Sequence, residues 1–226
     1  MARVPYANAV GSLMYAKMCT QSDICYVVRL VNRFQPNPGL AHWKAIKRIL
    51  RYLKWTMDYV LYYQGSNLRM IGYSDAVWDS DLDECKSTSR YFFLLNNGAI
   101  TWSSKKQPCI ALSTMKVEFV ACSAAVQEVV WLRRFFQNLE VVKDASDPIM
   151  VHCDSMTILA YAKDSKYHDK TKHIDIRYHY IRDMVAHNEV ILKHISTSRM
   201  IVDPLTKPIG RDAFQAHVRS LGLRRI

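Results

Sequence analysis

Apolar positions along this chain change period twice, and the changes divide it. Ala7, Val10, Leu13 and Met14 recur at helical spacing, as do Ile24, Val27, Val28 and Val31, so the chain up to Trp55 is predicted to be helical. Pro36-Asn-Pro-Gly39 interrupts this pattern. From Ala41 to Lys54 the helix resumes, with Trp43, Ile46, Ile49, Leu50 and Leu53 on one side and Lys44, Lys47, Arg48, Arg51 and Lys54 largely on the other. Near Asp58 the period turns extended, and Gly65-Ser-Asn67 reads as a turn or domain boundary. Strands are predicted at Leu68–Ser74, Tyr91–Leu95 and Ala99–Ser103, the last two joined by a hairpin at Asn96-Asn-Gly98. A long helix from Thr114 to Leu139 follows, then a strand at Ile149–Cys153, a short helix at Met156–Ala162, a helix at His173–His187, a strand at Glu189–Ile195 and a helical C-terminus.

This order assigns the chain to the α/β class, as a five-stranded mixed sheet with helices on its faces. The two strands after the meander are parallel additions, each reached by a helical crossover. Three parts are expected: a helical segment at 1–64, the α/β domain at 65–210 and a helical tail at 211–226.

Composition narrows the class. Half of the 226 residues are apolar and 23% are charged, which suits a globular core and excludes a disordered chain. No apolar run approaches the roughly 18 to 20 residues of a membrane span, and the N-terminus lacks a signal pattern, so a soluble protein with no membrane partner is expected. Lysine and arginine outnumber acids 31 to 20, a net charge of +11, which favours a polyanionic partner. The basic side of the 41–54 helix either follows a phosphate backbone or is a solvated face. Six cysteines, at 19, 25, 85, 109, 122 and 153, form no C-x-x-C pair and read as buried thiols in a reducing compartment.

Carboxylates carry the candidate chemistry. Asp75 and Asp154 each end a predicted strand, and in open α/β sheets ligands collect beyond the carboxyl ends of strands. Aspartate is also a favoured N-cap, and taken singly capping accounts for both. Glu118 is different, because its helical neighbours Met115, Ala121, Cys122 and Ala125 form an apolar or small face. A charged carboxylate against a core costs several kcal/mol unless compensated, and a divalent cation such as Mg²⁺ compensates it through hard oxygen ligands. The alternative is a glutamate at the rim of the stripe that reaches solvent. Asp203 precedes Pro204, the spacing of an N-cap followed by proline at the first helical position. Four clustered carboxylates repel one another and become useful when cations occupy them. Two ions roughly 3.5 to 4 Å apart can activate a water and stabilise the leaving oxygen of a phosphodiester.

Longer motifs then become recognisable: Gly72-Tyr-Ser-Asp-Ala76 with Trp78, Lys86-Ser-Thr-Ser89, Trp102-Ser-Ser-Lys-Lys-Gln-Pro108, Ala111-Leu-Ser-Thr114, Thr171-Lys-His-Ile-Asp-Ile-Arg-Tyr-His179 and Asp203-Pro-Leu-Thr-Lys-Pro208. In this order they closely resemble the C-terminal end of the Pol polyprotein of copia-type LTR retrotransposons. The resemblance extends to Ala9-Val-Gly-Ser-Leu-Met-Tyr15 and Arg48-Ile-Leu-Arg-Tyr-Leu-Lys54, which look like the helical thumb or connection segment after the reverse-transcriptase palm. It implies a ribonuclease H fold at 65–210 and cleavage of the RNA strand of RNA–DNA hybrids. It also implies that Asp75, Glu118, Asp154 and Asp203 are the catalytic acids and ligands of two Mg²⁺ ions, with Mn²⁺ as a substitute. Location in a cytoplasmic retrotransposon particle or the nucleus, without secretion, is implied as well.

Several positions depart from the family pattern. Val77 replaces a usual aspartate, Ser80 and Arg90 usual glycines, Lys116 a usual glutamate and Ser155 a usual asparagine. If the glycine at 90 serves a positive φ or a close approach, arginine strains the second strand. Lys116 would place positive charge near the acids unless it points to solvent. The palm is missing and no Asp-Asp pair is present to hold polymerase metals, so no polymerase activity is expected. The chain reads as a truncated or excised piece whose palm, where present, is a partner.

Lys105, Lys106, Lys170, Lys172 and Arg177 are the candidates for hybrid phosphates, which position a duplex without reading its sequence. His168, His173 and His179 read as helix-face or loop residues near the groove rather than a zinc site. Asp81, Asp83 and Glu84 read as a solvated acidic loop. A repurposed binding fragment without catalysis is the rival reading, and an integrase on the same sheet plan fits the motifs poorly.

Overall fold

A computed structural model describes residues 4–63, 65, 69–81, 86–108, 113–139, 147–163, 172–202 and 210–225. In chain order the elements are α1 (Tyr6–Cys19), a 3₁₀ turn (Ser22–Ile24), α2 (Cys25–Asn32), α3 (Leu40–Trp55), β1 (Tyr59–Leu61), β2 (Met70–Asp81), β3 (Lys86–Leu95), β4 (Gly98–Lys106), α4 (Thr114–Leu139), β5 (Ile149–Cys153), α5 (Met156–Lys163), α6 (Lys172–Ala186), β6 (Val190–His194), a second 3₁₀ turn (Thr197–Arg199), α7 (Arg211–Ser220) and β7 (Leu223–Arg225). They form two compact units, one of Met1–Tyr62 with Asp203–Ile226, the other Tyr63–Val202.

The first unit is built on α1, α2 and α3, whose buried face comprises Tyr6, Val10, Leu13, Ile24, Val28, Val31, Ile46 and Ile49. Ala7, Val27 and Leu50, assigned to that face from periodicity, are exposed. The larger Tyr6 turns inward instead, because its hydroxyl donates to the Val31 carbonyl at 2.7 Å and its ring fills the space. Gly39 starts α3 by donating its N–H to His42 Nδ1 at 2.8 Å, so the Pro-Asn-Pro-Gly break doubles as a cap. The five basic residues of α3 (Lys44, Lys47, Arg48, Arg51 and Lys54) are exposed. The C-terminal residues expected to be a separate tail belong to this unit: β7 pairs antiparallel with β1, and Phe214 meets Tyr52 edge-to-face at 5.8 Å. The period turns extended near Asp58, where β1 lies, but neither short strand was assigned, since three residues carry too little period to read.

In the second unit the sheet order is β4-β3-β2-β5-β6. β2, β3 and β4 form an antiparallel meander, while β5 and β6 join in parallel. This is the mixed five-stranded sheet that the element order implied. α4 supplies Phe119, Cys122, Ala125, Val126, Val129 and Leu132 to a core shared with Phe93, Val151, Ile158, Ile181 and Val190. Glu128 on the same helix accepts hydrogen bonds from Tyr91 (3.2 Å) and Thr101 (3.1 Å), tying α4 across β3 and β4.

Asn96 and Asn97, with φ of 48° and 64°, make the two-residue turn between β3 and β4, and Gly98 already pairs with Leu95. The hairpin therefore forms where expected, on an Asn-Asn centre. Gly98 is small for another reason: a Cβ there would lie 2.5 Å from the Tyr63 ring. At Gly72 a Cβ would lie 2.4 Å from Cε1 of the fully buried Phe93 on the neighbouring strand. Gly72→Ala is accordingly expected to cost roughly 2 kcal/mol through overpacking, seen as a lower urea midpoint with an unchanged slope.

The strands of the meander run further than the apolar pattern suggested, and Asp75 lies within β2 rather than at its end. Backbone ladder bonds do not depend on side-chain polarity, and polar residues are buried here: Ser87, Thr88 and the ion pair of Arg90 with Asp75. Of the cysteines read as buried, Cys25, Cys122 and Cys153 are, and Cys19 is exposed; Cys85 and Cys109 lie outside the described residues.

Candidate metal centre

The parallel register of β2 and β5 places Tyr73 opposite His152. Two residues further on stand Asp75 within β2 and Asp154 just past the end of β5, so the register brings these acids level. Glu118 arrives from the first turns of α4. Carboxylate oxygens of Asp75, Glu118 and Asp154 all lie within 4.8 Å of one another. Asp203, the fourth expected acid, lies outside the described residues.

Each carboxylate has its own surroundings. Asp75 is 5% exposed, accepts the N–H of Ala76 at 2.6 Å, and pairs with the guanidinium of Arg90, Nη2 to Oδ2 at 2.7 Å. Asp154, partly exposed beyond the end of β5, accepts from the Thr197 hydroxyl at 3.0 Å. Burial pushes the Glu118 carboxyl up to about 8; the charges of Asp75 and Asp154 add to the rise, and Arg90 opposes it. The Cys153 thiol, pushed up to about 12 mainly by burial and then by Glu118 and Asp154, is no nucleophile at neutral pH.

Three convergent carboxylates, with Asp75 buried and the Glu118 carboxyl raised by burial and then by the two aspartates, fit an oxygen-seeking divalent cation. A dication would relieve the mutual repulsion that raises Glu118.

Arg90 corrects an expectation. It is an ordinary strand residue with no positive φ, it pairs across the ladder with Asp75, and no backbone strain arises. Its role was missed because its charge was judged by the glycine it replaces. The readable signal was a cation on the strand that must pair with the one carrying Asp75. Lys116 is partly exposed on α4, and Ser155 caps α5, its hydroxyl accepting from Ile158 N–H at 3.5 Å.

Among the binding candidates, Lys105, Lys106 and Arg177 line one pocket of about 200 Å³ together with Ser89, Gln107 and Gln127. Gln107 holds this corner, donating to Ser89 Oγ at 2.8 Å and to the Val117 carbonyl at 2.9 Å. Ser89 and Gln107 stand in two of the motifs quoted above but were given no binding role, and Gln127 was not singled out, since a neutral polar residue on a helix carries no pattern. Lys170 and His168 lie outside the described residues, as do Asp83, Glu84 and the side chains of Lys172, His173 and Asp81. His179 is exposed on α6 beside Arg182. Among the described residues no helix is long and apolar enough to cross a membrane.

No protein-family model matches the chain. It is 44% identical over 223 residues to the retrovirus-related Pol polyprotein from transposon TNT 1-94 of Nicotiana tabacum, covering 99% of this chain and 17% of that protein. It is 33% identical over 222 residues to the corresponding polyprotein from transposon RE2 of Arabidopsis thaliana, covering 98% of this chain and 15% of that protein. The chain thus spans about a sixth of the length of these relatives. Among solved structures, LC11-RNase H1 in complex with an RNA/DNA hybrid is similar, with 15% identity and a TM-score of 0.43 over 58% of this chain and 88% of that one. The sheet order β4-β3-β2-β5-β6 with α4 packed across it is the mixed five-stranded α/β sheet that the element order predicted. Matched almost end to end, the chain is similar to one stretch of the copia-type, retrovirus-related Pol polyproteins of plant transposons.

Proposed function

We propose that this chain is a ribonuclease H that cuts the RNA strand of RNA–DNA hybrids, using divalent ions held by Asp75, Glu118, Asp154 and Asp203. The observation that carries this reading is the convergence of three carboxylates from β2, α4 and the end of β5 on one point. Mg²⁺, or Mn²⁺ in its place, would supply an activated water and charge stabilisation for the leaving oxygen of a phosphodiester. The protein's own part is positional. β2 and β5 fix the spacing of Asp75 and Asp154, Thr197 orients Asp154, and Glu118, whose carboxyl burial raises, would hold a divalent ion as the carboxylate. Lys105, Lys106 and Arg177 neutralise phosphates of the bound duplex, with Lys170 and Lys172 proposed for the same task. Such contacts read shape and charge, so little sequence preference accompanies them. The reverse-transcriptase palm of the same polyprotein is the proposed protein partner, in the cytoplasmic particle or the nucleus.

The test is cleavage of a labelled RNA–DNA hybrid beside duplex DNA and duplex RNA, with Mg²⁺ and with EDTA. Metal-dependent loss of the RNA strand of the hybrid alone is expected, with binding that weakens as salt rises. Cleavage that persists in EDTA, or that falls equally on all three duplexes, would overturn the reading. A second reading is favoured by one specific observation, the guanidinium of Arg90 seated against Asp75. It holds that this copy binds hybrids without cutting them, and it requires salt-dependent binding with no cleavage in either metal.

A further inference from the structure

The acidic cluster carries its own cation. Arg90 stands directly across the β2–β3 ladder from Asp75, its side chain is 1% exposed, and its guanidinium lies 2.7 Å from Oδ2 of Asp75. Its other terminal nitrogen reaches the Val202 carbonyl at 3.5 Å. A guanidinium does not lose its proton in a protein, so this charge is permanent. A buried carboxylate among other carboxylates is costly unless compensated, and the compensation here comes from the next strand.

We propose that Arg90 is a resident counter-ion, which keeps Asp75 in place without a metal and competes with divalent cations for that carboxylate. The proposal rests on the reading of this cluster as a divalent-ion site, but not on cleavage by it. Two consequences follow from electrostatics alone. The fold of the second unit does not require metal, because the charge nearest Asp75 is already balanced. Metal affinity is reduced, because an arriving dication meets a fixed positive charge a few ångströms away in a poorly screened setting.

The experiment compares Mn²⁺ binding, followed by the paramagnetic resonance signal of unbound Mn²⁺, in the whole chain and in Arg90→Met and Arg90→Gln. Met keeps the length of the side chain, and Gln keeps a donor for the Val202 carbonyl. Both variants are expected to bind Mn²⁺ at least about tenfold more tightly than the unaltered chain. They are also expected to melt at lower temperature in EDTA, with the deficit narrowing as Mn²⁺ saturates. Equal or weaker Mn²⁺ binding in folded variants overturns the proposal, as does absence of binding in all three proteins. Should neither single variant fold in EDTA, Asp75→Asn/Arg90→Gln decides the matter. Recovery of the fold when both charges are removed supports a counter-ion, and failure to recover shows that Arg90 serves packing instead. A chain that binds Mn²⁺ in this pattern yet cuts no hybrid would end the nuclease proposal and leave this one standing.

Discussion

Asp154→Asn is expected to lower the rate of hybrid cleavage by about 10³-fold or more, equivalent to roughly 4 kcal/mol of transition-state stabilisation, while leaving the fold and hybrid binding nearly unchanged. The asymmetry between activity and stability follows from its setting. Asp154 is partly exposed beyond the end of β5 and accepts from the Thr197 hydroxyl, a bond that an amide oxygen accepts equally well. What asparagine cannot supply is the negative charge that completes the cluster with Asp75 and Glu118. Asp75→Asn is expected to abolish cleavage too, but at a structural cost of about 3 to 5 kcal/mol, because it removes the carboxylate facing a buried guanidinium. Comparing the two by single-turnover cleavage and by urea unfolding separates chemistry from folding. Cleavage by Asp154→Asn at the unaltered rate would remove this residue from the mechanism.

In EDTA, stability of the second unit is expected to fall as pH rises from about 5 to about 8.5, opposite to the usual behaviour of a salt-bridged carboxylate. The carboxyl of Glu118 is raised from 4.5 in the unfolded chain to about 8 in the fold, so the folded state holds a proton that the unfolded state has lost. The slope of stability with pH is therefore negative between those values. The contribution is fully present below pH 4.5 and gone once pH has passed 8. After discounting for partial exposure, the loss is on the order of 3 kcal/mol. Glu118→Gln, which is neutral throughout, is expected to flatten this dependence and to be the more stable protein at pH 8. Adding Mg²⁺ is expected to restore the unaltered chain at high pH and to do little for Glu118→Gln, since cations stabilise the ionised cluster. Denaturant midpoints measured across pH, with and without Mg²⁺, check both statements. A flat profile in EDTA for the unaltered chain would contradict the burial of this carboxyl.

Much of the architecture was legible in the chain itself. α4 was read from Thr114 to Leu139 and is found over those residues, because 26 residues of amphipathic period outweigh any local ambiguity. β5 was likewise read as Ile149–Cys153, since a buried parallel strand is a short continuous apolar run. The polar halves of β2, β3 and β4 were not legible, because their residues look like a loop until their neighbours are known. The β1–β7 pair was hidden for a related reason: its strands lie far apart in the chain, and each is too short to show alternation.

By itself the sequence determined the element order, the mixed sheet, the basic character and the set of candidate acids, through periodicity and motifs that survive in one dimension. Tertiary structure decided which of these acids meet and what stands beside them. The register of Tyr73 with His152 brings Asp75 level with Asp154, and the register of Asp75 with Arg90 sets a permanent cation against the cluster. Both follow from backbone pairing between strands distant in the chain. Pairing of that kind is set by the packing of whole faces and leaves no local trace at the residues whose chemistry it creates.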